Sequence, residues 1–241
     1  FIGLTGKEFA KAKSLPYGQQ RLLELARALA SAPKLLLLDE PLGQLDAKVR
    51  NELRYEIRKM TKDLDLTAIH VTHDQSEAMA ISDRIAVMKK GKIMQVGTPE
   101  ELYMTPKNIF VAHFIGESNF LEGYVVNMNE QKTIIELRGN IRVQAVDANT
   151  EKGERVILAV RPETFEIQKE TIKSENTIQG VVERVTFEGT SIRYEIRLEN
   201  QDLIVSVKPS MIGEWLSPDE KVTVSFPPEK AHIFKYPEAG F

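Results

Sequence analysis

Four consecutive leucines run into two acids and a proline, Leu35-Leu36-Leu37-Leu38-Asp39-Glu40-Pro41, and this segment constrains the fold more than any other. A short continuous apolar run reads as a strand buried on both faces, the habit of parallel sheets. Proline cannot extend the ladder. Burying such a strand aims both carboxylates at the C-terminal edge of its sheet, where open α/β sheets bind ligands. The same residues also suit a plain strand-to-loop turn with two surface acids.

The neighbouring segments supply the other layer. Gln19 to Ala32 is rich in Leu, Ala, Arg and Glu and stops at Pro33, which predicts a helix. Ala47 to Leu64 predicts a second, with Val49, Leu53, Ile57, Met60 and Leu64 on one face and Lys48, Arg50, Arg54, Arg58 and Lys62 on others. Thr67–Thr72 reads as another buried strand and Gln75–Ser82 as a short helix. Arg84–Met88 and Lys92–Val96 form strands joined by the turn Lys89-Lys90-Gly91. Thr98–Tyr103 opens with a capping threonine, a first-turn proline and two acids. Strand–helix–strand order implies parallel pairing.

Two more features stand near that edge. Gly18, in Leu15-Pro16-Tyr17-Gly18-Gln19-Gln20-Arg21, sits where a loop becomes a helix, so backbone N–H groups there attract anions; an ordinary amphipathic helix is the alternative. His73 follows the second strand and shares an edge with Asp39 and Glu40 if the strands are parallel neighbours, although a lone histidine is more often structural.

Past residue 117 the texture changes. Residues 1–117 carry 17 Lys+Arg and 15 Asp+Glu, against 15 and 20 in residues 118–241, and the boundary falls near Gly116–Asn119. Short β segments are expected at Leu121–Met128, Lys132–Leu137, Ile141–Ala145, Arg155–Arg161, Thr177–Glu188, Ser191–Leu198, Asp202–Val207, Lys221–Ser225 and Ala231–Lys235. Two halves echo each other: NFLEGYVV near 119 with NTIQGVVERV near 176, and RVILAVRPETFEI near 155 with KVTVSFPPEKAHIF near 221. About five strands per half is the count of an OB-type barrel. Ile178, Val182, Ile204 and Val207 exceed what one small barrel encloses, which predicts association through residues 118–241.

Composition narrows the classes. A net charge of −3 excludes a strongly basic nucleic-acid wrapper, and 42% hydrophobic with 28% charged residues excludes wholesale disorder. Cysteine is absent, so no disulfide framework or thiolate metal site forms. No stretch approaches the ~20 apolar residues of a membrane-spanning helix. The opening FIGLTGKEFAKAK is polar within six residues, unlike a secretory leader, and begins with Phe1, which predicts an incomplete or processed product.

LPYGQQR, LLLLDEP, LGQLD and VTHD, in this order and spacing, resemble the ATP-binding cassette (ABC) ATPases of membrane transporters, and the likeness runs on through HDQSEAMAISDRIAVMKKGKIMQVGTPEELYMTPKN. Leu15, Pro16, Tyr17, Gly18 and Gln19 resemble the start of the cassette signature, which faces ATP held by a second protomer. Asp39 and Glu40 resemble Walker B and its catalytic glutamate, Gly43-Gln44-Leu45-Asp46 the D-loop, with Asp46 along the dimer interface, and His73 the switch histidine. The resemblance implies that Asp39 holds Mg²⁺ through water, Glu40 polarises the attacking water as general base, and His73 contacts the γ-phosphate of ATP. It implies an α/β domain, a partial P-loop NTPase over residues 1–117 with a parallel sheet, followed by an all-β OB-like (TOBE) regulatory and dimerisation domain over 118–241. Arg161-Pro162-Glu163 is the most specific match in that second part, and a structural role is expected for Arg161.

The implied function is the ATP-hydrolysing subunit of an ABC importer, polyamine-type ahead of sugar or ferric iron. It would work as a homodimer on the cytoplasmic face of the membrane, with integral permease subunits and a periplasmic or lipoprotein solute-binding protein, and without nucleic acid. A nucleic-acid-binding OB module fused to a degraded cassette is the alternative, disfavoured by the acidic balance of residues 118–241. Two departures stand out. Pro16 and Tyr17 replace the usual serine and first glycine of the signature, and proline brings neither hydroxyl nor N–H. No G-x-x-x-x-G-K-[ST] occurs: Gly6-Lys7 lacks the upstream glycine and is followed by Glu8. The expectation is therefore the C-terminal part of a cassette subunit, beginning within its helical subdomain. By itself it should bind ATP weakly or not at all and hydrolyse none, with Leu35–Leu38 and Ile69–Val71 left uncovered.

Overall fold

The computed structural model describes residues 6–7, 9–43, 45–129, 132–146, 150–170 and 175–237. Gln44 of the expected D-loop lies outside the described residues. The chain divides into two compact units, residues 1–104 and 105–241.

The first unit is α/β. Its elements are α1 (Tyr17–Leu29), β1 (Leu35–Asp39), α2 (Ala47–Asp63), β2 (Thr67–Val71), α3 (Gln75–Ile81), the hairpin β3 (Ile85–Lys89) and β4 (Lys92–Gly97), and α4 (Pro99–Met104). Asp46 starts α2 by accepting from the N–H groups of Lys48 and Val49 at 3.1 and 3.0 Å. The apolar stripe Leu53, Ile57 and Met60 then packs with Leu25 of α1 and with Leu36, Leu42 and Leu45. β1 and β2 pair in parallel, Leu35 opposite Thr67 through Asp39 opposite Val71.

Leu35–Leu38 is not buried on both faces. Leu36 is 5% exposed and Leu37 66%. The cause is layering: α1 and α2 cover one face, and among the described residues the sheet has two strands. Leu35, Leu37, Ile69 and Val71 are exposed on the uncovered side.

The second unit begins with α5 (Ile109–Ile115) and is otherwise antiparallel β. Its first half contributes β5 (Asn119–Met128), β6 (Thr133–Leu137), β7 (Arg142–Ala145), β8 (Arg155–Val160) and β9 (Glu166–Gln168). The second contributes β10 (Thr177–Phe187), β11 (Ser191–Leu198), β12 (Leu203–Pro209), β13 (Lys221–Ser225) and β14 (Ala231–Lys235). Two five-stranded sheets result, ordered β14-β8-β5-β6-β7 and β12-β11-β10-β13-β9. Each half therefore gives its fifth strand to the other half's sheet.

The echo in the sequence extends to fine detail. Both long first strands carry a bulge at the same place, between Val125 and Asn127 and between Val182 and Arg184. Each has a glycine two residues before it, Gly123 and Gly180, where an added Cβ would meet Ile135 Cγ2 at 2.6 Å or Ile196 Cγ2 at 2.8 Å. A buried asparagine stands at the start of each strand, Asn119 as the first residue of β5 and Asn176 just before β10, and clamps the opposite half. Asn119 bonds Val205 through both its N–H and its carbonyl, and Asn176 does the same with Gln144. One apolar core lies between the sheets, from Leu121 and Leu158 to Ile178, Ile196 and Val224. This corrects the expected association surface: Ile178, Val182 and Ile204 belong to that core, and Val207 is half-buried. Pooling two halves gives an interior large enough to hold them.

Candidate functional site

Parallel pairing brings the ends of β1 and β2 together. The N–H of Glu40 donates to Val71 O at 2.9 Å, extending the ladder one residue past Asp39. The chain then turns sharply: Glu40 adopts φ +42, and Gly43 N–H donates back to Glu40 O at 3.1 Å. A left-handed backbone is uncommon outside glycine and costs about 1–3 kcal/mol, so the surrounding ladder and turn hold this carboxylate in place.

His73, two residues beyond β2, meets it. Its Nδ1 lies 2.8 Å from Glu40 Oε1. An ionised carboxylate only accepts, so Nδ1–H is the donor in that state. Both side chains are largely exposed. Asp39 ends β1, also exposed. Among the described residues no three His, Asp or Glu side chains cluster into a protein-only metal centre. A single strand-end carboxylate is nevertheless what Mg²⁺ uses when phosphates and waters complete its shell, so Asp39 fits that ion.

The signature-like residues take a different place. Pro16 caps α1, its carbonyl accepting from Gln19 and Gln20 N–H at 2.8 and 3.0 Å, and it offers no side-chain cap. The opening N–H groups of such a helix have no intrahelical acceptor. Leu15 is buried, and its carbonyl accepts from Gln20 Nε2. Tyr17 OH accepts from Arg21, and Gln19 Oε1 from Lys7 Nζ. Gly18 is tight against α2: a Cβ there would sit 2.7 Å from Val49 Cγ1. The structure thus joins Gly18 to the start of α2, and Glu40 to His73. The Asp46 side chain is engaged as the α2 cap.

Sequence reasoning missed what stands behind His73. Asp74 caps α3, Oδ1 accepting from Glu77 N–H and the Ser76 hydroxyl, while Oδ2 faces Arg54 at 3.0 Å and Arg50 at 3.5 Å. The Ser76 bond, the backbone bond from Glu77 and these cations hold its carboxyl below the ordinary value despite burial. Arg50 also donates to Leu45 O at 2.9 Å. Burial pushes the Glu77 carboxyl up, but His70 and the Thr72 hydroxyl outweigh it and hold it low. Asp74-Gln75-Ser76-Glu77 has the acid-x-x-Glu spacing of a helix start, a signal that was available.

Arg161 takes the expected structural role. Its Nη1 lies 2.8–3.0 Å from Ala112 O, Gly116 O, Glu117 O and Ser118 Oγ and shares its two hydrogens among them, closing the C-terminal end of α5. Arg193 pairs with Glu117 beside it.

Comparison with known proteins gives two family matches. Residues 2–43 match the ABC transporter family and residues 158–234 the TOBE domain. The chain is 41% identical over 237 residues to the spermidine/putrescine import ATP-binding protein PotA of Clostridium novyi, covering 97% of this chain and 64% of that one. The Clostridioides difficile protein of the same name is 40% identical over 237 residues, with the same coverage. Among solved structures, the cytoplasmic molybdate-binding protein ModG aligns with 48% of this chain and 95% of its own, at 15% identity and TM-score 0.45. No described helix is long and apolar enough to cross a membrane. The chain thus carries one segment that matches the ABC transporter family and another that matches the TOBE domain, and it is similar to spermidine/putrescine import ATP-binding proteins, of whose length it spans just under two thirds.

Proposed function

We propose that this chain is part of the ATP-hydrolysing subunit of an ABC importer, with a polyamine as the transported solute. The observation that carries the proposal is the 2.8 Å contact between Glu40 and His73 at the shared edge of β1 and β2. Glu40 Oε1 is oriented by the imidazole, which leaves Oε2 to take a proton from an attacking water. Asp39, one residue earlier, would hold Mg²⁺ together with phosphate oxygens and water. ATP and Mg²⁺ supply the phosphoryl group and its charge neutralisation; the chain's own residues orient, accept the proton and fix the edge. The polyamine comes from the names of the relatives, spermidine/putrescine import ATP-binding proteins.

In this proposal residues 1–117 are the C-terminal part of the nucleotide-binding domain and residues 118–241 the regulatory and dimerisation domain. Leu15 to Gln19 would face the nucleotide of a second copy. A homodimer, permease subunits, a solute-binding protein and a place on the cytoplasmic face of the membrane follow from the importer resemblance. These 241 residues contain no Gly-rich phosphate cradle with its lysine, so by themselves they should hold Mg·ATP weakly and turn none over. Micromolar binding of Mg·ATP to this chain in calorimetry would overturn that part.

The main test is Glu40→Gln in the full-length subunit. Loss of a general base costs about 10²–10⁴-fold in turnover while ATP binding persists. Hydrolysis near the wild-type rate would remove Glu40 from the role.

A further inference from the structure

A histidine on an exposed turn is aimed only as well as the backbone that carries it, and both neighbours of His73 are pinned. Thr72 Oγ1 donates to Glu77 Oε2 at 2.7 Å and accepts from Asp74 N–H at 3.0 Å. One hydroxyl thereby spans residue 73 and closes the turn around it. The direction of the first bond is fixed, because an ionised carboxylate has no proton to give.

Glu77 is an unusual partner for this task. Its side chain is 4% exposed, and its other oxygen lies 2.7 Å from Nε2 of His70, itself 8% exposed, within ion-pair distance but not aligned as an N–H···O bond. Carboxylates are almost never this buried unless paired. Capping of α3 does not explain it, since Asp74 fills that role. The aligned hydrogen bond that Glu77 accepts from a side chain comes from the hydroxyl bracketing His73.

We propose that Glu77 is a positioning residue for His73, acting through Thr72: it fixes the hydroxyl whose two bonds set the 72–74 turn and so points the imidazole at Glu40. The proposal rests on the assignment of Glu40 and His73 to turnover made above. His70 anchors the carboxylate from β2. On the far side, Asp74 reaches Arg50 and, through it, the Leu45 carbonyl, so the loop following Glu40 is tied to the same turn.

Thr72→Val removes the hydroxyl and keeps the shape, while Thr72→Ser keeps the hydroxyl. The chain has four histidines, so ¹⁵N-histidine labelling of this protein resolves the His73 ring, identified by its loss in His73→Gln. In Thr72→Val the His73 ring resonances should move away from their wild-type positions, with the fold retained but the melting midpoint lowered, because buried Glu77 loses its aligned bond; in Thr72→Ser they should stay. Glu77→Leu, which leaves the Thr72 hydroxyl without its acceptor, should shift them in the same direction as Thr72→Val. In the full-length subunit Thr72→Val should lower kcat about 10²-fold with the KM for Mg·ATP nearly unchanged, as expected for a misplacement near 1 Å, and Thr72→Ser should restore it. His73 resonances unmoved in Thr72→Val, or moved equally in Thr72→Ser, would overturn the proposal. If the wild-type subunit shows no turnover, the ATPase assignment fails, and the resonances still decide whether Glu77 and Thr72 aim the ring.

Discussion

Replacing Arg161 by methionine keeps the apolar stem and deletes the cation that closes α5. Its Nη1 stands 2.8–3.0 Å from four oxygens but carries two hydrogens, so two full bonds are the ceiling. At about 1.5–3 kcal/mol for a bond involving a charged group, that is about 3–6 kcal/mol. Three of the four contacts are only part-buried, so water takes over much of the work in the variant. The end-of-helix dipole adds at most about 1 kcal/mol. A net loss of about 2–4 kcal/mol follows, a roughly 30- to 700-fold rise in the open population. The loss should be local. Val111, Ala112 and Ile115 remain buried, and the two sheets do not depend on Nη1. Hydrogen exchange read by mass spectrometry should show protection lost by that factor in residues 109–118 and retained in β5 and β8. Arg161→Lys, with a cation but no fork, should fall between. Unchanged protection at 109–118, or equal loss in β5 and β8, would refute the reasoning.

Gly123→Ala should lower the urea midpoint of the β unit by an equivalent of about 1–3 kcal/mol, because its Cβ would meet Ile135 Cγ2 at 2.6 Å and Glu136 O at 2.8 Å. Gly180→Ala, with 2.8 and 3.0 Å to Ile196 Cγ2 and Arg197 O, should cost somewhat less; an unmoved midpoint in both would count against the close packing. Asp74 has its folded-state pKa held below the ordinary 3.8, first by the Ser76 hydroxyl and then by the Glu77 N–H, Arg54 and Arg50. Its stabilisation is therefore complete above that ordinary value and disappears as pH falls through the depressed one. The gap in melting midpoint between wild type and Asp74→Asn should hold from pH 7 to about 4 and close below; a gap constant down to pH 2.5 would exclude the linkage.

Much of this molecule was legible in its sequence. LLLLDEP gave β1, and the Val49-to-Leu64 stripe gave α2, because period and length each pointed one way. That Glu40 and His73 lie at one edge was legible, because parallel pairing forces two strand ends together. The exposure of Leu37 was not legible in its own strand, whose apolar run reads as buried on both faces; it followed only from the lack of a G-x-x-x-x-G-K-[ST] motif, which led to the expectation that these strands would be uncovered. α5 went unread because IFVAHFI is a short segment, apolar but for His113, as compatible with a strand as with a helix; Asn108 before it and Gly116 after it were the helix signals. β9 is three residues long, too short for any period to show. Glu77 could be read as a helix-start acid. Its contact with His70 could not, since that depends on how α3 folds back onto β2.

The exchange of β9 and β14 sets a condition on synthesis. A ribosome delivers the chain from the N-terminus, and the first half of the β unit is complete in sequence once β8 and β9 have emerged. Its sheet is not complete, because the strand that lines the outer side of β8 is β14, about 70 residues further along the chain. Val156, Leu158 and Val160 therefore wait, with one edge of β8 open, until residue 235 is made. Until residue 225 is made β9 likewise has no β13 to join and is free to sample other edges. A stop codon anywhere between residues 170 and 231 leaves β8 without that neighbour. Truncation products of this chain should accordingly be cleared or aggregate as a class, wherever in the second half the stop falls.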